Sequence, residues 1–429
     1  MIWRRAKSLD NSTYPPRSVK ARINAPMIRY LVLFAALLLA ACSPPKPAAT
    51  ADALSLSWKD IEAQARGQTV TLVMWTGDPL INRYMETYVV PELKKQNDVT
   101  LRIIASQGND VVSFLSTELE AGKQASEWDM AWINGETFYQ LRQVKALLGP
   151  FTGKLPNAQY IDFKNPFIDY DFQQEVNGYE CPWGNVQLAL IYDSKHVPSP
   201  PKNRAELLAW VKAHPGRFTW DNSFTGMTFL KGLMYDINGG PQSLKGPFDE
   251  ARYQKQSAAL WAYVRELKPY LWREGKTFPA SVAAMHQLLV NGETDFSMSN
   301  NDAEVDNKVL QHFLPDTCRA YVPDSGTIQN SHYMGIVKHS AHQAAAMVVC
   351  NFLISPAAQL EKFKPSVWGD GTVLDISRLP EEWRQKFTSV PERRYAPRRS
   401  DLAPRALMEP DPRYMVKLFE DFRKEVIEK

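Results

Sequence analysis

The chain of 429 residues is 44% hydrophobic and 23% charged, which makes it ordinary globular material, long enough for two cores of typical domain size, and excludes disorder throughout. Its formal charge of +3 comes from the front: residues 1–41 carry seven basic residues and one acid, and the rest holds 43 basic and 46 acidic residues, a net of −3. That balance leaves no electrostatic footprint for nucleic acid, and the one basic cluster, Arg393, Arg394, Arg398 and Arg399, set among prolines, is expected to be a solvated surface segment.

Met27-Ile28-Arg29-Tyr30 and the apolar run 31–40 read as the n-region and h-region of a signal peptide, too short to span a bilayer as a stable helix. The run ends at Leu39-Ala40-Ala41-Cys42, which resembles the bacterial lipobox; the resemblance implies that Cys42 is acylated and becomes the first mature residue. A complete signal starts at Met27, so residues 1–26 read as an upstream extension or an unusually long n-region. Residues 42–57 begin with the low-complexity run Ser43-Pro44-Pro45-Lys46-Pro47 and are expected to tether a folded domain to a membrane of the cell envelope.

Residues 58–67 read as a helix, and the nearly continuous apolar run 70–75 as a strand buried on both faces. Asp78-Pro79 supplies an N-cap and a first-turn proline for a helix that Val90-Pro91 interrupts. Strands at 99–105 and 128–133 follow, with helices starting at Gln107-Gly108-Asn109 and Asn134-Gly135-Glu136. This βα rhythm predicts a parallel sheet covered by helices, with ligands bound beyond the strand ends.

The run Cys181-Pro182-Trp183-Gly184-Asn185, continued by the buried strand 188–192, stands near mid-chain and reads as the crossover between two lobes. Beyond it the pattern predicts a helix capped by Asn203, a strand at 218–220, and a helix opened by Asp221 and ended at Asn238-Gly239-Gly240. Helices are expected over 250–267, 281–290, 341–354, 357–363 and 414–427, and strands over 294–298, 319–322 and 332–337. The expected domains are a signal peptide at 1–41, the tether at 42–57, lobe 1 at 58–185 and lobe 2 at 186–320, with the hinge near 181–193. Residues 321–429 form the return crossover and C-terminal helices.

In this order and spacing, Leu39 to Cys42, the run 70–77, Trp183-Gly184 with Tyr192-Asp193, the run 289–296, Val322-Pro323-Asp324-Ser325-Gly326-Thr327 and Ser355-Pro356-Ala357-Ala358-Gln359 resemble an extracellular solute-binding lipoprotein of a bacterial ABC importer. The type is the two-crossover, type 2 periplasmic binding protein of the thiamine, polyamine and iron branch. The resemblance implies an α/β fold of two lobes, each a mixed sheet flanked by helices, joined by crossover strands and closing on a small solute. The partners it implies are a membrane permease and, indirectly, its ATPase, with a monomeric binding protein lipid-anchored in the periplasm. Cys181 departs from the general pattern and would restrain the hinge if bridged.

The ligand-facing candidates stand at strand ends and the crossover: Trp75, Thr76, Gly77, Asn109, Asn134, Glu136, Trp183, Asn185, Asp221, Ser299 and Asn300. Aromatic faces beside carboxylates suit a planar or extended organic cation, thiamine-like or polyamine-like. Stacking tryptophans also suit a sugar, and the helix starts after Gly108 and Thr225 an anion. Cys181 and Cys318 both precede segments near the crossover, leaving one disulfide between them or free thiols as alternatives, while Cys350 reads as a core thiol. His339 and His342 lack further ligands, and Asp302-Ala303-Glu304-Val305-Asp306 lacks the glycine and final glutamate of a calcium loop, so the segment is expected to be solvated and no metal or cofactor is called for. No catalytic motif is present, and the rival classes are an envelope enzyme working in the same cleft and a scaffold without a solute.

Overall fold

A computed structural model describes residues 52–428. The signal segment, the lipobox cysteine Cys42 and most of the tether lie outside the described residues. The first half builds β1 (Thr69–Met74), β2 (Thr100–Ala105) and β3 (Met130–Ile133), with helices α1 (Trp58–Ala65), α2 (Pro79–Tyr84), α3 (Val90–Asn97), α4 (Gly108–Glu120) and α5 (Gly135–Gln143). A two-strand hairpin, β4 (Tyr170–Asp171) and β5 (Gln174–Glu175), precedes β6 (Glu180–Gln187) and β7 (Ala189–Asp193). Then come α6 (Arg204–Ala213), α7 (Phe224–Ile237), α8 (Glu250–Leu267), α9 (Val282–Val290), β8 (Phe296–Ser299), α10 (Glu304–Leu310), β9 (Cys318–Tyr321) and β10 (Thr327–Ile336). The chain ends with α11 (Gln343–Leu353), α12 (Pro356–Phe363), α13 (Glu381–Thr388), β11 (Ala406–Leu407) and α14 (Pro412–Phe422).

The first sheet is six-stranded and mixed, in the order β11-β10-β3-β1-β2 with β6 also on β10. β1 runs parallel to β2 and β3, whereas β10 is antiparallel to β3 and β6. Period-two alternation sends Val70, Leu72 and Met74 into one hydrophobic cluster and Val73 into the other, so both faces are covered. The second sheet is three-stranded and antiparallel, with β7 between β8 and β9. Here Leu190 enters one cluster and Ala189 and Ile191 the other. Burying such a side chain is worth roughly 1.5–3 kcal/mol, which makes these alternating faces the main reason the strands take this register.

Local chemistry accounts for the boundaries. Asp78 caps α2 by accepting from the Leu80 and Ile81 amides at 2.6 and 3.3 Å. Pro91 removes a helical donor, and the turn ahead of it widens to a π-turn over Met85–Val89. Asn203 and Ser281 cap α6 and α9. Residues 218–220 differ from expectation: Phe218 and Trp220 are fully buried, but the segment joins no ladder. Its apolar run reflects burial among Phe229, Phe278, Phe296 and Phe422, which a strand and a buried extended segment share.

The chain passes between the sheets at Leu188, where the Leu188 amide donates to Ile328 O at 2.8 Å, and returns through residues 322–326. Gly326 holds φ +84° there, with Arg405 O packed where a Cβ would stand. Residues 389–405 cross a third time, carrying the arginine cluster. Two of its members are not solvated, because Arg393 and Arg399 both reach Asp302, which is 2% exposed. Asp302, Glu304 and Asp306 are likewise buried rather than solvated: Asp306 accepts from the amides of Arg394, Tyr395 and Ala396, at 2.7, 3.2 and 2.9 Å. These partners lie some ninety residues downstream, so the local sequence carries no trace of them.

Candidate functional site

The seam between the lobes is framed by the ends of β1 and β3 on one side and by the starts of α7 and α10 on the other. Lys308 of α10 crosses it to Asp78 at 2.6 Å, and Asn307 donates to Trp368 O. Lys308 also lies 3.6 Å from Glu304 Oε1, which His286 Nε2 meets at 3.0 Å, while the Ser299 hydroxyl donates to Glu304 Oε2. Burial pushes the Glu304 carboxyl up, but His286, Lys308 and Ser299 outweigh it and hold it at about 2.

At the floor of the first lobe Trp132 stands edge-on to Trp183 at 5.1 Å, with His332 at 5.1 Å and Trp368 at 6.3 Å. Trp75 joins this aromatic group through Trp132 at 6.5 Å and is its solvent-facing end, 39% exposed. Below it Asp370 Oδ2 accepts from Lys362 at 2.6 Å and meets His332 Nε2 at 3.1 Å. Burial drives the Lys362 ammonium down to about 8 in spite of that partner. Gly184 has no room for a side chain, because a Cβ would run into His332 and Asp370.

The expected ligand residues fall into separate places. Trp75, the half-buried Thr76 and the exposed Gly77 lie together at the end of β1, with Thr76 O accepting from Asn82 and the Trp75 ring laid against Gly77. Asn134 and Glu136, both half-buried, open α5 at the end of β3, and burial raises Glu136 to about 7. Asn109 stands exposed in the first turn of α4. Asn300 donates to Thr225 Oγ1 at 2.9 Å, and the fully buried Asp221 accepts from the Ser223 and Gly226 amides at 2.8 and 3.3 Å, so both converge on the start of α7. Ser299 is buried against Glu304, and Asn185 links the hinge strands, donating to Ser331 Oγ at 3.0 Å and accepting from Gln329 at 2.8 Å. Trp183 is fully buried in the core beneath Trp132 rather than facing the seam.

The bridge between Cys181 and Cys318 is not formed. The three cysteines among the described residues are free thiols; Cys181 packs in the first lobe in the same core as Cys350, its thiol donating to Pro182 O at 3.8 Å, while Cys318 packs in the second. Sequence reasoning also passed over His332, Lys362, Asp370, Lys308, Lys231 and Glu409. The polar run Gln329-Asn330-Ser331-His332 inside an otherwise buried strand was the available signal for the hinge; the lysine pairs gave none.

Residues 89–388 match the family described as bacterial extracellular solute-binding protein. The chain belongs to that family. It is 38% identical over 336 residues to Protein YnjB of Escherichia coli K12, spanning 77% of this chain and 86% of the relative. Among solved structures it is similar to the TpPotD lipoprotein of Treponema pallidum, with TM-score 0.60 and 15% identity over 84% of this chain and 100% of that one. It also matches the periplasmic binding protein AfuA of Actinobacillus pleuropneumoniae, bound to fructose-6-phosphate, with TM-score 0.59 and 13% identity over 84% and 98%. Ferric ion-binding protein A of Pasteurella haemolytica matches with TM-score 0.56 and 13% identity over 84% and 97%. At these identities the three structures establish the two-lobed fold alone. The family is one of ABC transporter substrate-binding proteins, so this solute-binding protein works outside the cytoplasm with a small-molecule solute and a permease as partners.

Proposed function

We propose that this solute-binding protein captures a small cationic organic solute, thiamine-like or polyamine-like, between its lobes and delivers it to the permease while anchored to the envelope through lipidated Cys42. The solute-facing set is Trp75, Thr76, Gly77 and Asn134 from the first lobe and Thr225 and Asn300 from the second, with Glu136, Asp221 and Asn185 behind them. The observation that carries the charge assignment is the filled start of α7. A helix N-terminus is where an anion would bind, but Asp221 already lays a buried carboxylate against the Ser223 and Gly226 amides. Asp78 fills the start of α2 in the same way. The starts of α4 and α5 carry no side-chain cap, and the cation reading rests beside this on the exposed Trp75 ring, whose face is worth roughly 0.5–2 kcal/mol to a cation placed over it.

The test is thermal unfolding of residues 51–429 against thiamine and its phosphates, polyamines, amino acids, sugars and inorganic anions. A solute at 100 times its Kd adds about 2.7 kcal/mol and raises Tm by several degrees. A shift confined to organic cations is expected; a shift confined to sugars or anions overturns the charge assignment, and turnover of a bound solute would move the protein to the envelope enzymes. The anchor is tested separately by incorporation of a labelled fatty acid, expected in the full chain and absent from Cys42→Ala.

A further inference from the structure

The β4–β5 hairpin begins and ends in the first lobe, but its tip does not stay there. Ile168 and Val176, at its two ends, pack in clusters of the first sheet, and the Tyr333 hydroxyl donates to Ile168 O at 2.9 Å. Phe172, 1% exposed, lies against Gly135 of the first lobe and also packs in the core of the second, 6.4 Å from Phe224, with Lys231 Nζ 4.3 Å from its ring. Gln173 donates to Leu244 O at 3.2 Å and Glu409 O at 3.1 Å and accepts from the Gly246 amide at 2.8 Å. Both tip residues take left-handed backbone, φ +47° and +58°, as a two-residue hairpin turn demands, yet neither is the glycine or asparagine such a turn favours. The contacts with the second lobe are what hold them there.

Behind the tip lies an acidic group with too few donors. Asp171 and Glu180 are buried, and among the described residues no hydrogen-bond donor reaches Asp171 Oδ2, either Glu180 carboxyl oxygen, or Glu136 Oε2. The cations facing them are Lys231, ion-paired to Glu409, and Arg142, which faces Glu180 with its guanidinium 3.4 Å over the Tyr179 ring. Glu409 adds negative charge beside Asp171 and Glu136, the Tyr333 hydroxyl lies near Asp171, Glu180 and Asp169, and Glu175 faces Asp169. Asp171, Glu180, Glu136 and Glu409 thus face two cations, Lys231 and Arg142. Adjacent buried carboxyls cannot all ionise, and a retained proton supplies the donor that the protein does not.

We infer that the β4–β5 hairpin is a proton-dependent latch, fastening the first lobe to the second while Asp171, Glu180 and Glu136 hold protons and loosening as they ionise. The role in solute capture rests on the lobe-closure function of the family; the proton dependence rests on the cluster alone. Burial raises all three carboxyls, Glu136 to about 7 from 4.5. The seated hairpin thus binds more protons than the released one, so seating is favoured as pH falls from about 7 towards about 4.5 and disfavoured above. Glu136 changes the equilibrium by up to about tenfold per pH unit in that window, and Asp171 and Glu180 act in the same direction.

Hydrogen exchange of the full chain at pH 6 and pH 8, corrected for intrinsic exchange and run without solute, tests this. The reporters are the Gly246 amide, which donates to the tip, and the Val176 amide, which donates to Asp169 O at 2.9 Å, with β1 amides as the internal standard. Protection at the reporters should fall at least tenfold between pH 6 and pH 8 while β1 holds. The isosteric pair Asp171→Asn with Glu180→Gln should restore most of the pH 6 protection at pH 8. Gln173→Ala should lower Gly246 protection at both pH values and keep the slope. Equal wild-type protection at the two pH values, an unchanged slope in the carboxamide variant, or an unaffected Gly246 in Gln173→Ala would each overturn the latch. Because no solute is used, failure here leaves the cation assignment standing, and a failed solute panel leaves the latch standing.

Discussion

Glu304→Gln puts the electrostatics of the seam to a quantitative test. The carboxyl is held at about 2, against 4.5 for a free glutamate, by His286, Lys308 and Ser299 acting against its burial. A depression of about 2.5 units at about 1.36 kcal/mol per unit is a stabilisation of roughly 3 kcal/mol. Because the folded value is the lower one, the contribution is full above about 4.5 and disappears as pH falls through about 2; at pH 3 about half of it remains. Urea unfolding of wild type and Glu304→Gln at pH 7 and pH 3 measures both numbers. The expected loss is roughly 3 kcal/mol at pH 7, with an unchanged m-value, shrinking by about half at pH 3. A loss below about 1 kcal/mol at pH 7, or one that does not shrink in acid, would refute the assignment of a charged Glu304 to this network.

Two further outcomes follow from burial. Trp75→Ala should weaken solute binding roughly tenfold with Tm nearly unchanged, whereas Trp183→Ala, emptying a fully buried site, should cost about 3–5 kcal/mol; titration calorimetry and thermal unfolding separate the two. In residues 51–429 no thiol should react with a disulfide reagent while folded, and three should react in denaturant; only one reacting there would reveal a Cys181–Cys350 bridge.

The parts of this fold that were legible in the sequence are those specified within a dozen residues. The apolar run of β1, the Asp78 and Asn203 caps and the break at Pro91 are local signals, and each recurs in the structure where its chemistry predicts it. The expectation of a crossover near 181–193 rested on local signals too, the apolar run 188–192 with Gly184 on one side and a proline-rich loop on the other. What escaped is what depends on distant partners. Glu304, Asp302 and Asp306 looked like a solvated run because His286, the arginines of the third crossing and the amides of 394–396 are remote in sequence. The hairpin tip gave no turn signal, since Phe172 and Gln173 are held by Phe224, Leu244 and Glu409 rather than by their own preferences. Trp183 was marked for the cleft by its place at the crossover, but the alternation along β6 that turns it into the core was not recoverable with Pro182 beside it.

The cation assignment meets its most direct test in native mass spectrometry of the protein purified from periplasmic extract under mild conditions. The account predicts a small noncovalent adduct, released on denaturation and identified as a positively charged organic compound. A sugar or phosphorylated anion released in its place would contradict it.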